Sequence, residues 1–583
     1  GMRVVGPNCM GVINTDQSIR LNATFSSVYP PSGNVAFLSQ SGAMGLAILE
    51  YARDLNMGIS SFASVGNRVD ISPSDFLQYW EKDPKTEVIL LYIESFGNPR
   101  NFARIARRVS QEKPIVVVKS GATKSGSRAA ASHTGAMATS DVVADVLFHN
   151  AGIVRVNTME ELFNIAGLLS NQPLPRGRNL VIVTNGGGPG IIAADAAERN
   201  GLHLKPLSSQ TIDRLKAAVR RRVSLANPLD TTAGAGADEF ESILKILAAD
   251  RDNDAVLAIF VPPVVIEPGA IEEALQRVTS LFWRYKKPLM VCFLGRRGLQ
   301  ARIGKAGRLV PSYAFPDEAV SALARAAEYA ELRRKPRGTI PLIKGSSPAK
   351  ARKVIENVLK SSTQRPIWLS SSEILQLARY YGIRMLETDT VATPTEAASA
   401  AEKFGFPVAV KLASNTIVHK TEVGGVFLNV DSVERVQKAF DSIKRNLDKI
   451  GRLDEMQGVT VQPMLEGGLE TIVGMTDDPQ FGPLIMFGMG GIYAELIQDK
   501  ALRLHPLTDL DAKELVGSIK MSKLFDGYRG SPPSDTGAIC DLLLRLSAMI
   551  TDIPQIAELD FNPVKVLSLG KGYRLADARI MLK

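Results

Sequence analysis

Asn34–Leu49 reads NVAFLSQSGAMGLAIL, and Asn179–Asp195 reads NLVIVTNGGGPGIIAAD. Each opens with a short apolar run, breaks into a turn of small residues, and continues as a helical pattern. A continuous apolar run of this length is what a strand buried on both faces requires, and such strands belong to parallel sheets covered by helices. The small residues at the turn let backbone N–H groups converge on one point. The helix that follows adds partial positive charge there. Ser41 and Gly42 in the first stretch, and Gly187 and Gly188 in the second, are therefore candidate phosphate-binding positions. A plain tight turn explains either stretch alone; two in equivalent places argue for two similar domains.

The surrounding sequence repeats the theme. Further apolar runs (VILLYIE at 88–94, PIVVVKSG at 114–121, AVLAIFVPPV at 255–264, PLMVCFLG at 288–295) alternate with helical patterns. This is the rhythm of βαβ units. It predicts an α/β chain with two successive flavodoxin-like, doubly wound parallel-sheet domains, at 34–172 and 173–332. A basic stretch with Pro and Gly, RRKPRGTIPLIKGS, opens a linker and helix over 333–365. From 366 to 583 the texture changes to strand-like pieces mixed with helices, an α+β domain. Ser370 and Glu373 are spaced for a capping box there.

Composition narrows the function classes. The net charge is +9, but the positive residues are scattered and the clusters at 220–222 and 333–337 lack interleaved aromatics. No nucleic-acid partner is expected; anionic small molecules suit the charge. No apolar run reaches the ~18 residues of a membrane span. Three cysteines without metal-ligand spacing point to a reducing, cytoplasmic compartment.

His133 is one of five histidines. It lies in AAASHTGAMATSD (129–141), in the loop after PIVVVKSG. Taken alone it is a bland polar residue. Glu94, however, ends the run VILLYIE, and in a parallel sheet the C-terminal strand ends share one edge. A carboxylate on one imidazole nitrogen leaves the other free as a nucleophile and stabilises the cationic product.

In the last domain, Lys411 ends the strand-like PVAVKLA, where it suits a nucleotide phosphate. Gln462 to Met464 offer backbone groups to an adenine edge, with Glu470 following. Asn562 and Asp577 lie on late strand pieces and are hard oxygen ligands suited to Mg2+. Each has a bland alternative, Lys411 as a strand-edge charge and Asp577 as a turn cap. Their order along the chain favours the ligand reading.

The motifs GPNCMG (6–11), SQSGAMG, SHTGAM, NGGGPG with NPLDTT (227–232), HKTEVGGV, EGGLE, FGMGG and ELDFNP together resemble the ADP-forming acyl-CoA synthetases of the acetate–CoA ligase type, relatives of succinyl-CoA synthetase. The resemblance covers the whole chain. It implies that 366–583 is an ATP-grasp domain and that residues 1–33 are the end of a Rossmann-type CoA-binding domain, most of it absent before Gly1. It also implies a reaction: acid + CoA + ATP ⇌ acyl-CoA + ADP + phosphate, through phosphohistidine at His133, supported by Glu94, and an acyl phosphate. Its partners are then a small carboxylic acid, CoA and ATP, with Mg2+; a homo-oligomer is expected. His419, in NTIVHKTEVGGV, is either a polar loop residue, a phosphate contact, or a second phosphorylated histidine as in some relatives. Two rival functions stay open at this point: an ATP-grasp ligase without phosphohistidine, and a non-catalytic nucleotide or acyl-CoA sensor.

Overall fold

The computed structural model describes residues 2–123, 125–128, 141–219, 223–262, 268–294, 303–305, 308–362, 364–414, 416–417, 420–465, 467–491, 497 and 499–583. The chain forms two compact units, Gly1–Pro336 and Arg337–Lys583. His133, His419, Arg220–Arg222 and Glu495 lie outside the described residues.

The first unit holds one mixed and one all-parallel sheet, with a small antiparallel pair, Gly304–Lys305 against Arg308–Leu309. The first sheet contains β1 (Gly11–Asn14), β2 (Leu21–Thr24), β3 (Ser32–Ser39), β4 (Ile59–Ser64), β5 (Val88–Ile93), β6 (Ile115–Lys119) and β7 (Val154–Val156), in the order β2-β1-β4-β3-β5-β6-β7. From β4 to β7 the strands are parallel and their order is that of a flavodoxin-like sheet, 2-1-3-4-5. Val35 to Leu38 are wholly buried, as a strand covered on both faces demands. Residues 11–24, read in the sequence as part of a preceding domain, form the antiparallel edge of this sheet, with β1 paired to β4.

The second sheet uses β8 (Leu180–Thr184), β9 (Leu229–Asp230), β10 (Ala255–Phe260), β11 (Leu289–Phe293) and β12 (Ser312–Tyr313), in the order β12-β11-β10-β8-β9. In chain order this is again 2-1-3-4-5, and every pairing is parallel. The two halves meet through the helix Pro316–Arg334, whose Tyr329 hydroxyl donates to the Ser110 carbonyl at 2.8 Å.

The repeat extends to detail. Helix α1 (Gly42–Asp54) follows β3, and α2 (Gly187–Arg199) follows β8. Four residues after each N-cap stands a glycine. A Cβ at Gly45 would lie 2.8 Å from Phe62 Cζ, and one at Gly190 would lie 3.0 Å from Thr184 Cγ2. Both helices therefore settle on their sheets at a distance that excludes a side chain.

The second unit is built from antiparallel sheets. The smaller contains β13 (Asp389–Val391), β14 (Val408–Ala413), β15 (Val426–Val430) and β16 (Gly458–Pro463), in the order β13-β16-β14-β15. The larger is centred on β17 (Leu469–Asp478), β18 (Gly482–Met489), β19 (Lys500–Leu504), β20 (Ile556–Val566) and β21 (Ala578–Leu582), running β21-β20-β17-β18-β19. Helix α3 (Ser371–Tyr381) starts at the capping box its sequence specifies. Ser370 Oγ accepts from the Glu373 N–H, and the Glu373 carboxylate accepts from the Ser370 N–H. Among the described residues, no helix is long and apolar enough to cross a membrane.

Candidate active site

In an open parallel sheet, ligands bind beyond the C-terminal strand ends where the strand order reverses. In the first sheet that point lies between β3 and β5. β3 runs into Gln40–Ser41, and β5 into Glu94–Ser95. The Gln40 amide joins them: its Oε1 accepts from the N–H groups of Glu94 (2.8 Å) and Ser95 (3.0 Å), and its Nε2 donates to the Ser95 carbonyl (2.6 Å). The Glu94 backbone is thereby fixed, with the residue half-buried, at the edge where β6 also ends, and His133 follows β6 in the sequence. Ser41 is the N-cap of α1; its Oγ accepts from the Met44 N–H at 3.4 Å.

The second sheet repeats the clasp between β8 and β10. Asn185 Nδ2 donates to the Val261 carbonyl, and Asn185 Oδ1 accepts from the Val261 N–H, both at 2.7 Å. The N-cap of α2, Gly186, makes no side-chain cap hydrogen bond, and Gly187 and Gly188 are exposed. A Cβ built on Gly188 would meet nothing within 4 Å. Asp230 stands beside them: a Cβ on Gly187 would lie 3.5 Å from Asp230 Oδ2.

In the second unit, a cavity of about 660 Å³ opens between the two sheets. Lys411, Thr460 and Gln462 line it from the smaller sheet, Ala576 and Asp577 from the approach to β21, and Lys420 from the turn before β15. Lys411 Nζ and Lys420 Nζ each stand 3.9 Å from Asp577 Oδ2. The hydrogen-bond network orients the Gln462 amide so that its oxygen accepts from Lys411 Nζ at 3.0 Å and its nitrogen donates to the Ala576 carbonyl at 3.2 Å. Burial holds the Lys411 ammonium below the ordinary lysine range; Asp577 opposes that shift and Lys420 adds to it. Two cations around one carboxylate in a sheltered cleft form a site that is electrostatically unfinished and suited to polyphosphate.

Lys411, Gln462 and Asp577 therefore come together, and Asn562 adjoins them: its backbone N–H donates to the Asp577 carbonyl at 3.1 Å. The buried Gln462 side chain holds Lys411, a role separate from the backbone one expected from the sequence. Met464 has already given its N–H to the Pro407 carbonyl. Glu470 stands apart from the cavity lining and faces Lys565 at 3.4 Å. Asp560, two residues before Asn562, has its carboxyl raised by burial, with Arg579 opposing. Sequence reasoning passed over Lys420, Gln40 and Asn185. Of these, only Lys420 carried a signal, as a lysine in a glycine-bounded turn one strand from Lys411.

Comparison with known proteins follows the same division. The family model of the succinyl-CoA ligase like flavodoxin domain matches residues 32–169, and that of the ATP-grasp domain matches residues 360–582. The ADP-forming acetate–CoA ligase I of Archaeoglobus fulgidus is 39% identical over 586 residues, spanning 100% of this chain and 82% of the relative. The ADP-forming 4-hydroxybutyrate–CoA ligase of Nitrosopumilus maritimus is 36% identical with the same coverage of both chains. A dinucleotide-forming acetyl-coenzyme A synthetase 1 of Ca. Korarchaeum cryptofilum, solved with phosphate and ADP, matches with a TM-score of 0.53 at 36% identity, covering 57% of this chain and 72% of that one.

Proposed function

The chain belongs to the ADP-forming acid–CoA ligases, and from that premise we propose how its own residues divide the reaction acid + CoA + ATP ⇌ acyl-CoA + ADP + phosphate. Lys411 and Lys420 neutralise the ATP phosphates, with the Gln462 amide holding Lys411 in place. The γ-phosphoryl group of ATP passes to an imidazole nitrogen of His133, directly or by way of His419; at each transfer an N–P bond forms as the bond from phosphorus to the leaving group breaks, and ADP leaves in the first. Glu94 accepts the remaining ring N–H and stabilises the charged phosphohistidine. A carboxylate oxygen of the acid then attacks phosphorus, the N–P bond breaks, and an acyl phosphate forms. The CoA thiolate attacks its carbonyl carbon and phosphate departs. Ser41–Gly42 and Gly187–Gly188 present helix N-termini to the phosphoryl group in transit.

Mg2+ fits the donor set. It is held by one or two carboxylates together with substrate phosphates, at oxygen ligands. Asp577 and Asn562 supply such oxygens, and Asp577 shares its Oδ2 at 3.9 Å with two lysines that have phosphates to move to. When bound there, the ion would neutralise charge on the phosphate oxygens. Among the described residues, no three His, Cys, Asp or Glu side chains cluster into an all-protein metal site.

The observation that supports this reading most is Glu94, pinned by Gln40 at the strand-order switch beside the strand that leads to His133. The test is labelling with γ-labelled ATP: a base-stable, acid-labile label lost in His133→Ala is expected. A fully labelled His133→Ala chain would remove the phosphohistidine. The acid remains open, because relatives of 39% and 36% identity act on acetate and on 4-hydroxybutyrate. A panel of short acids identifies it.

A further inference from the structure

Arg68 lies in the loop after β4 and reaches under the end of β5. Its Nη1 donates to the Ser95 carbonyl, and its Nη2 donates to Ser95 Oγ at 2.8 Å. Ser95 follows Glu94, and its own N–H and carbonyl are held by Gln40. Burial draws Arg68 below its ordinary range, and the Glu94 charge opposes that shift.

Three features make Arg68 costly where it stands. Its φ of 56° places a long, charged residue in the left-handed region that favours glycine. Its Nε is buried and, among the described residues, has no hydrogen-bond partner. Its charge is largely removed from water. The loop itself is held by backbone bonds that need no side chain: Asn67 N–H to the Pro7 carbonyl and Val69 N–H to the Gly6 carbonyl. Glycine would suit this backbone better, so stability alone does not account for the arginine. Strain and an orphaned polar atom gathered on one residue are the mark of a site kept for chemistry.

The second sheet gives the contrast. There Asn185 makes the same amide clasp on Val261. The residue after β10 is thus a valine where β5 is followed by Glu94. The clasp is common to both switch points, whereas among the described residues a guanidinium hydrogen-bonded to the strand end accompanies only the one followed by Glu94.

We propose that Arg68 is a positioning residue of the phosphoryl-transfer reaction: together with Gln40 it locks Ser95 and so fixes the strand end from which the Glu94 carboxylate projects. This rests on Glu94 being the acid that supports phosphohistidine. Arg68 acts through Glu94 and touches no substrate.

The test uses the full chain, Mg2+ and γ-labelled ATP, reading the rate of labelling and the half-life of the base-stable label. Arg68→Gly is expected to melt no lower than the parent chain, because glycine relieves the backbone, yet to shorten the label half-life or slow labelling about a hundredfold, as mispositioned catalytic groups do. Arg68→Lys, which keeps the charge without the fork, is expected to recover all but about tenfold. The double variant Arg68→Gly with Glu94→Gln is expected to match Glu94→Gln alone, since the arginine acts through that carboxylate. Normal labelling in Arg68→Gly, or losses that multiply in the double variant, overturns the proposal while leaving the role of Glu94 intact. If Glu94→Gln itself labels and holds its label normally, the underlying reading of Glu94 fails instead. Should Arg68→Gly melt lower than the parent, an Arg68→Lys variant of parental stability with no recovery of label also counts against it.

Discussion

Lys411 and Asp577 face each other across the cleft of the second unit, Nζ to Oδ2 at 3.9 Å, and Lys420 reaches the same oxygen at the same distance. That separation is at the outer limit of an ion pair, and at such a distance the attraction does little to repay the desolvation of groups this sheltered. The arrangement is better understood as charges waiting for a ligand. On the proposed function, bound phosphates would give both lysines several anionic oxygens in place of one shared carboxylate and would free Asp577 to face a cation.

Asp577→Asn separates those two effects. Removing the carboxylate leaves Lys411 and Lys420 with no shared counter-charge, so metal-free ATP is expected to bind at least as well as before. The extra affinity conferred by Mg2+ is expected to disappear, a loss of about 2 kcal/mol if it matches a charge-assisted contact. Calorimetric titration of ATP with and without Mg2+ measures both. An undiminished Mg2+ effect in the variant would exclude Asp577 as a ligand.

Lys411 gives a pH dependence of defined sign. Burial holds its pKa below the ordinary lysine value of 10.5 in the free chain, and bound phosphates favour the charged form and push it back up. Over the alkaline window between those two values, ATP binding is expected to take up a proton. Affinity therefore falls as pH rises through the free-chain value. The fold itself responds oppositely: in that window the unfolded chain holds the proton more tightly, so stability rises with pH. Titrations in buffers of different ionisation heat count the protons, and Lys411→Met is expected to abolish the uptake.

The glycines after the two N-caps divide into packing and ligand positions. Gly45→Ala places a methyl 2.8 Å from Phe62 Cζ and 3.1 Å from Met10 Sδ, both on buried residues. Overpacking of about 1–3 kcal/mol is expected to exceed the gain of up to ~1 kcal/mol from replacing a helical glycine. At Gly188 a Cβ meets nothing within 4 Å. Gly188→Ala is thus expected to leave the melting temperature unchanged or slightly raised while turnover falls. Equal destabilisation by the two substitutions would contradict this division.

These positions also explain what was legible in the sequence. The two strand–turn–helix units were readable because strands buried on both faces must be apolar throughout, so their ends stand out, and Glu94 stands at such an end; Lys411, expected to end its strand, instead lies inside β14 (Val408–Ala413), where it is the half-buried break in an otherwise buried run. β1 and β2 were not, because GVIN and LNAT are short and half-exposed, and only their antiparallel partner gives them a place. Glu470 was grouped with Gln462 because a strand, a turn and a strand follow one another; nothing local says that β16 joins the smaller sheet and β17 the larger. Gln40 and Arg68 act through contacts 54 and 27 residues away, which no spacing rule reports.

His133→Ala is expected to abolish acyl-CoA formation and the base-stable label together. His133 lies outside the described residues; on the proposed mechanism its imidazole pairs with Glu94, whose backbone N–H is held by Gln40. Glu94→Gln keeps the size and the backbone clasp, so the chain is expected to fold normally. It loses the charge that stabilises the cationic ring, and labelling or label lifetime is expected to fall about a hundredfold or more. Comparing Glu94→Gln with Glu94→Asp at equal melting temperature shows whether charge or reach matters.

The last prediction concerns His419, also outside the described residues but immediately before Lys420, whose Nζ lies beside Asp577. In-line phosphoryl transfer needs its reacting atoms within ~3–3.5 Å, and His133 is 278 positions earlier in the sequence than Lys411. Either the His133 loop itself reaches the nucleotide, or a histidine at the nucleotide takes the phosphoryl group first. His419 is suited to that role by its neighbours, because Lys411 and Lys420 would neutralise a phosphate on it as they do on ATP. A relay makes the two ends of the reaction separable. His419→Ala is expected to block labelling of His133 from ATP, yet to leave labelling of His133 from acyl-CoA and labelled phosphate at the parental rate. If His133 labels normally from ATP in that variant, the phosphoryl group passes to it directly, and His419 is at most a phosphate contact.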